Sequence, residues 1–232
     1  MKRILFILSI TLFIGCQEKK EAKSTTSSAE QAVPKKTTAP LEYPEKVAQA
    51  NGIGQWNKVK KLGFTFNVDR GDSHFERRWI WDTKTNTITA KSSQDTLVYQ
   101  RNAMDSIAQK TNGGFINDKF WLMMPFNLSW DLGNYTYTFE KGAKTPISGE
   151  IMDKLTVVYG SEGGYTPGDA YDLFIDADLK IKEWVFRKGN QPEASLTTTW
   201  EAYKNYGPLD LATSHKNEDG SFHLYFTDIV VE

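Results

Sequence analysis

The pattern of apolar and polar positions changes character along the chain. In LGFTFNV, Leu62, Phe64, Phe66 and Val68 fall on one side, and Gly63, Thr65 and Asn67 on the other. A period of two is the mark of a half-buried strand. HFERRWIWD places Phe75, Arg77, Trp79 and Trp81 on one face, and TKTN then turns the chain into TITAKS, which predicts a hairpin. NYTYTFE sets Tyr135, Tyr137 and Phe139 against a row of threonines. KLTVVYG, AYDLFID, IKEWVFR, SLTTTWEAY and FHLYFTDIVV continue the series, separated by turn residues such as DADLK and KGNQPE.

Helical signal is sparse. YPEKVAQANGI has a proline near a helix start, an early glutamate and a glycine at its end. NAMDSIAQKTNGG predicts a second short helix, closed by Gly113 and Gly114. FINDKFWLMMP predicts a third, stopped by Pro125, because the residue before a proline disfavours the helical region. Many strands joined by short turns imply a large antiparallel sheet, and so wide a sheet must curl or be covered. The expected class is mainly β (α+β): a strongly curved antiparallel sheet, an open half-barrel, with short helices in its concave face.

The aromatic stretch FINDKFWLMMPFNLSW, residues 115 to 130, is too uneven for an ordinary amphipathic helix. Phe120, Met123 and Met124 share one helical face, flanked by Trp121. Methionine fills irregular gaps both in cores and at adaptable binding surfaces. Two readings stand open: a helix that plugs the concave sheet, or one that lines a cavity for an acyl chain or a similar ligand.

The opening MKRILFILSITLFIGC sets the expected compartment. Lys2 and Arg3 precede an apolar core from Ile4 to Ile14. At about 1.5 Å per residue this core is too short to cross about 30 Å of hydrocarbon, so it reads as a secretory signal. LFIGC resembles a bacterial lipobox, which implies cleavage after Gly15 and acylation of Cys16, the chain's one cysteine. No cysteine is then left for a disulfide. The stretch from Gln17 to Pro40 has no aromatic residue and one large aliphatic, Val33, too little to offset the entropy of ordering. The expected organisation is a signal peptide over 1–15, an acylated cysteine and tether over 16–40, and one β-rich domain over 41–232. The absence of aspartate after Cys16 favours the outer membrane of a bacterial envelope as the anchor site.

Charge and motifs narrow the function. Loss of Lys2 and Arg3 leaves 26 basic residues against 29 acidic ones, a net charge near −3. That balance, without a basic stripe, argues against nucleic acid. His74, His215 and His223 form no HExxH pattern, and no GxSxG elbow is present, so neither a zinc site nor a serine hydrolase is expected. YGSEGGYTPGDAYD lacks the lysine of a phosphate loop and reads as a surface loop, with a hairpin end near a cavity mouth as the alternative. No cofactor, metal or catalytic residue is expected.

GQWNKVKKLGFTF, RRWIWD, NDKFWLMMPFNL and DAYDLFIDADLKIKEWVF together resemble the lipoprotein-carrier superfamily, the LolA/LolB-type half-barrels, over most of residues 43 to 232. The resemblance implies an unclosed barrel whose apolar concavity, lidded by short helices, holds acyl chains. It also implies a functional arginine on an early strand, in the region of Arg77 and Arg78. The implied lining comprises Phe64, Phe66, Trp79 and Trp81 from early strands and Phe120, Trp121, Met123 and Met124 from the aromatic helix. Tyr135, Tyr137 and Trp184 complete it from later strands. The function expected is a non-enzymatic, envelope-anchored lipoprotein that binds a hydrophobic ligand, a lipid or acyl chain, or a lipidated partner. The alternative is a structural subunit of an envelope complex using the same fold without a ligand. A glycan or lipid hydrolase ranks third.

Overall fold

Strand alternation is realised as two antiparallel sheets laid against one long helix. The structure, a computed structural model, describes residues 40–92, 95–162 and 166–232. The expected signal peptide, Cys16 and most of the tether lie outside the described residues. Pro40–Glu232 forms one unit.

A short helix α1 (Tyr43–Ala50) and a 3₁₀ turn (Ile53–Lys58) lead into β1 (Lys61–Arg70), β2 (Ser73–Asp82), β3 (Thr87–Lys91) and β4 (Thr96–Gln100). Helix α2 (Ser106–Trp130) follows. Then come β5 (Tyr135–Lys144), β6 (Ile151–Tyr159), β7 (Ala170–Ile175), β8 (Ile181–Arg187) and β9 (Leu196–Thr199). A small hairpin, β10 (Lys204–Tyr206) with β11 (Leu209–Leu211), precedes β12 (Ser214–Lys216) and β13 (Phe222–Val231). The first sheet has the order β12-β13-β1-β2-β3-β4, and the second β5-β6-β7-β8-β9.

The sheets meet at a seam between β12 and β9. There the Glu201 amide donates to the Ser214 carbonyl at 2.9 Å, and the Lys216 amide to Thr199 Oγ1 at 3.1 Å. No ladder joins β4 to β5 among the described residues, so the wrap is not closed into a barrel. The strand expected over SLTTTWEAY is shorter, ending at Thr199, because Trp200 and Glu201 turn the chain across this seam.

The register confirms the predicted faces. Phe64 lies opposite Trp79, Phe66 opposite Arg77 and Val68 opposite Phe75, so these residues share the inner face. On the other flank Phe66 faces Phe226 and Val68 faces Leu224. The outer face of β1 is less exposed than alternation suggested. Thr65 and Asn67 are buried beneath a polar network in which Thr65 Oγ1 donates to Asp228 and Asn67 Nδ2 donates to Thr227 Oγ1.

The two short helices expected between residues 102 and 125 are one kinked helix. Asp105 caps it by accepting from the Ala108 amide at 2.8 Å. It runs through Gly113 and Gly114 because Arg77 passes against it: a Cβ on Gly114 would stand 2.8 Å from Arg77 Nη1. Gly114 thus serves a close approach rather than a stop. Pro125 bends the helix instead of ending it, with Met123 at φ −116°, ψ 21°. The turn beyond it persists because Phe126 and Leu128 are fully buried.

The unevenness of this helix also has a cause. Phe115, Leu122, Met123 and Phe126 pack into a core with the first sheet. Phe120, Met124 and Leu128 pack into a second core with the other sheet. A helix held between two sheets needs two apolar faces, not one.

Candidate functional site

The inner face of β1 carries Phe66, Val68 and Arg70 in alternation, and neighbouring β13 carries Leu224 and Phe222 opposite Val68 and Arg70. Helix α2 passes above with Gly113, Ile116, Asn117, Phe120 and Trp121, whose spacing makes one helical stripe. From the second sheet come Tyr171, Trp184, Phe186 and Leu196. These surfaces do not meet completely. They enclose a cavity of about 400 Å³, within the range of about 300–1,000 Å³ usual for ligand sites.

The walls are largely aromatic. Trp121 and Trp184 lie 4.4 Å apart, and Tyr171 sits 5.1 Å from Trp184 and 5.2 Å from Phe186. Polar groups gather among the lining: Asn117, Thr166, Asp169 and Arg70. The Arg70 guanidinium lies over the Phe222 ring, 5.2 Å from its centroid. Tyr171 donates to Thr166 Oγ1 at 3.1 Å, and burial raises its phenol above the ordinary value. A second, more open cavity of about 370 Å³ shares Phe66, Val68, Arg70 and Asn117 with the first and extends to Ser73, His74 and Phe75.

Behind the Trp121–Trp184 wall lies the seam. His215 is fully buried, 4.4 Å from Trp200 and 5.4 Å from Trp121 between ring centroids. Its Nδ1 donates to the Thr199 carbonyl at 3.3 Å, and burial pushes its pKa down to about 3, so the ring is neutral. Its Nε2, together with Trp184 Nε1, Trp200 Nε1 and Thr198 Oγ1, is buried without a hydrogen-bond partner among the described residues.

A different arrangement anchors the helix to the first sheet. Asp118, fully buried, accepts from Arg77 Nε at 2.5 Å, Arg77 Nη2 at 2.6 Å and Trp79 Nε1 at 2.7 Å. Burial raises its carboxyl pKa against the opposing pull of Arg77. The adjacent Lys119 is buried, with its ammonium 4.5 Å from the Trp130 ring centroid, and burial lowers its pKa well below the ordinary value. None of these groups lines the 400 Å³ cavity.

The expected lining residues separate accordingly. Phe66, Phe120, Trp121 and Trp184 line the cavity. Phe64, Trp79, Trp81 and Met123 lie in the first core, and Met124 and Tyr135 in the second. Tyr137 is half-buried beside α1, where its hydroxyl donates to Glu42. Sequence reasoning missed Ile116, Tyr171, Phe186, Leu196, Phe222 and Leu224. Alternation within AYDLFID, IKEWVFR and FHLYFTDIVV held the signal for most of these positions. The loop YGSEGGYTPGDAYD lies partly outside the described residues, but its Thr166 and Asp169 reach the cavity.

In fold the chain is similar to a LolA-superfamily protein from Nitrosomonas europaea. The identity is 12%, the TM-score 0.50, and the match covers 82% of this chain and 92% of that one. The architecture is LolA-like. A DUF1329 family protein from Desulfovibrio piger is also similar, at 10% identity and a TM-score of 0.45, over 82% of this chain and 92% of that one. The fold comparison rests on the former. No family model matches the chain, and no curated protein matches it in sequence.

Proposed function

We propose that this chain is a non-enzymatic lipoprotein of the bacterial envelope that binds a hydrophobic ligand, a lipid or acyl chain, between α2 and its two sheets. In this reading residues 1–15 are removed, Cys16 carries the lipid that anchors the chain, and residues 16–40 tether the domain of residues 41–232 to the outer membrane. The observation that carries the reading is the aromatic cavity of about 400 Å³. Burying apolar ligand surface there contributes about 25 cal/mol per Å² before the costs of association. The LolA-like architecture agrees with a binding role, and the displaced groups of Asp118, Lys119 and His215 lie away from the cavity.

The test is native mass spectrometry of the full chain carrying Cys16→Ser, purified from a bacterial host without detergent. A stoichiometric lipid adduct, lost in Trp121→Asp while the far-ultraviolet spectrum is retained, is the expected result. A clean apo mass together with no uptake of added lipid overturns the binding reading. Fractionation of the unmutated chain addresses the anchor: recovery in the soluble fraction rather than with outer-membrane vesicles would exclude it.

A second reading, an interaction subunit, is favoured by the two sheet ends. Among the described residues β4 and β5 each leave one strand edge unpaired, and Val98, Phe139 and Ile151 are exposed on or beside them. Unpaired edges recruit partner strands unless they are blunted.

A further inference from the structure

The cavity is apolar in its walls, but two opposite charges border it. Arg70 extends from the end of β1 and is exposed. Its guanidinium rests on Phe222, which limits the orientations it can take. Asp169 approaches from the β6–β7 connection and is half-buried. Its Oδ1 accepts the Gly189 amide at 2.7 Å, which fixes the carboxylate against the start of the 3₁₀ turn after β8. Among the described residues neither side chain takes part in an ion pair, with the other or with anything else. Two nearby arginines are engaged elsewhere: Arg77 with Asp118, and Arg187 with Asp172.

Two charges of opposite sign on one apolar cavity, neither in an ion pair among the described residues, form a recognition pattern. A purely anionic head would satisfy Arg70 and meet repulsion from Asp169. A cationic head would do the reverse, and a neutral head would leave both charges partly desolvated without partners. A head bearing an anion and a cation a short distance apart satisfies both at once.

We propose that the cavity takes an amphiphile with a zwitterionic head, its chain among Trp121, Tyr171 and Trp184, its anionic group at Arg70 and its cationic group at Asp169. Phospholipid-type heads that join a phosphate to an ammonium have this chemistry. The inference deepens the binding reading above and rests on it. It adds the head-group class, which an apolar cavity alone leaves open.

The experiment uses four single-chain probes with the same dodecyl or lauroyl tail, each below its micelle threshold. They are dodecylphosphocholine, dodecyl phosphate, dodecyltrimethylammonium and monolauroylglycerol. Binding to the full chain carrying Cys16→Ser is measured by titration calorimetry. The phosphocholine probe binds tightest. Arg70→Gln weakens the phosphocholine and phosphate probes by about three- to tenfold, the range of a partly exposed ion pair to a charged-group hydrogen bond, and spares the ammonium probe. Asp169→Asn, which keeps the oxygen that accepts from Gly189, weakens the phosphocholine and ammonium probes and spares the phosphate probe. Arg70→Lys restores much of the loss and guards against a folding artefact.

If all four probes bind alike and neither variant discriminates among them, the head-group inference is overturned while the cavity reading stands. If no probe binds a folded chain, both fall.

Discussion

The two halves of α2 are built from the same kinds of residue and meet different fates. From Leu122 to Leu128 every side chain is buried, and the half is gripped by both sheets. From Gly113 to Trp121 one stripe of the helix faces a space that the sheets do not fill. Aromatic content does not distinguish the halves. What differs is the opposing surface. Near the kink, the strands present side chains that interdigitate with Met123, Met124 and Phe126. Toward the helix start, α2 passes over the place where β1 and β13 of one sheet face β7 and β8 of the other. Packing is dense where side chains of both sheets reach the helix, and a cavity remains where the sheets stand too far from its first half to fill the space.

The comparison breaks most visibly at the packed half. Phe126→Ala is expected to cost about 3–5 kcal/mol, measured by denaturant unfolding, because it opens a void among fully buried neighbours. Trp121→Ala, beside an existing cavity, is expected to cost clearly less than Phe126→Ala under the same conditions.

The anchor between α2 and the first sheet comes next. Arg77→Met is expected to cost about 3 kcal/mol, since it leaves the Asp118 carboxylate buried without its charged partner. Asp118→Asn in the same background should recover part of the loss, and a double-mutant cycle measures how much.

The seam behind the cavity sharpens the comparison through pH. The folded-state pKa of His215 is depressed to about 3, below its ordinary value of 6.5, so the unfolded chain binds the proton first as pH falls. The contribution is fully present above pH 6.5 and is lost progressively from there down to about pH 3. At pH 5 the loss from this group is about 2 kcal/mol, at about 1.4 kcal/mol per pH unit. The difference in unfolding free energy between the unmutated chain and His215→Phe should therefore shift by that amount between pH 7 and pH 5. A pH-independent difference would contradict the burial of a neutral ring.

The smallest effect separates two adjacent glycines. A Cβ at Gly113 meets nothing within 4 Å, so Gly113→Ala should stabilise the helix by about 0.5–1 kcal/mol. A Cβ at Gly114 would press on the Arg77 guanidinium, so Gly114→Ala should destabilise the chain by about 1–2 kcal/mol as the Arg77–Asp118 contact yields. Thermal melts of the two variants should move in opposite directions.

Much of the fold was legible because its signals are local. Leu62 to Val68 and Phe75 to Trp81 alternate, and the structure places them on the inner face as read. The turn at Asp176 is equally local: its Oδ1 accepts the amides of both Asp178 and Lys180. The site was legible in part. Phe66, Phe120, Trp121 and Trp184 stand at the cavity, whereas Phe64 and Met123 are just as aromatic or pliant and lie in the core. Composition separates apolar from polar residues, but it carries no measure of how completely two surfaces fit. Arg70 and Asp169 were invisible for another reason. Each is an ordinary charged residue until β1 and the β6–β7 connection, about a hundred residues apart, border the same space.

The sequence by itself determined the period of each strand, the faces those strands bury, the positions of many turns and the mainly β class. All of these follow from backbone geometry and side-chain polarity acting over a few residues. The tertiary structure alone decided that α2 runs through Gly114 and bends at Pro125. It also decided that the strands divide between two sheets joined at a seam, and that a cavity remains above that seam. Those outcomes depend on the registry of segments more than a hundred residues apart, β1 against β13 above all, and on volumes that fit or fail to fit only once that registry is made.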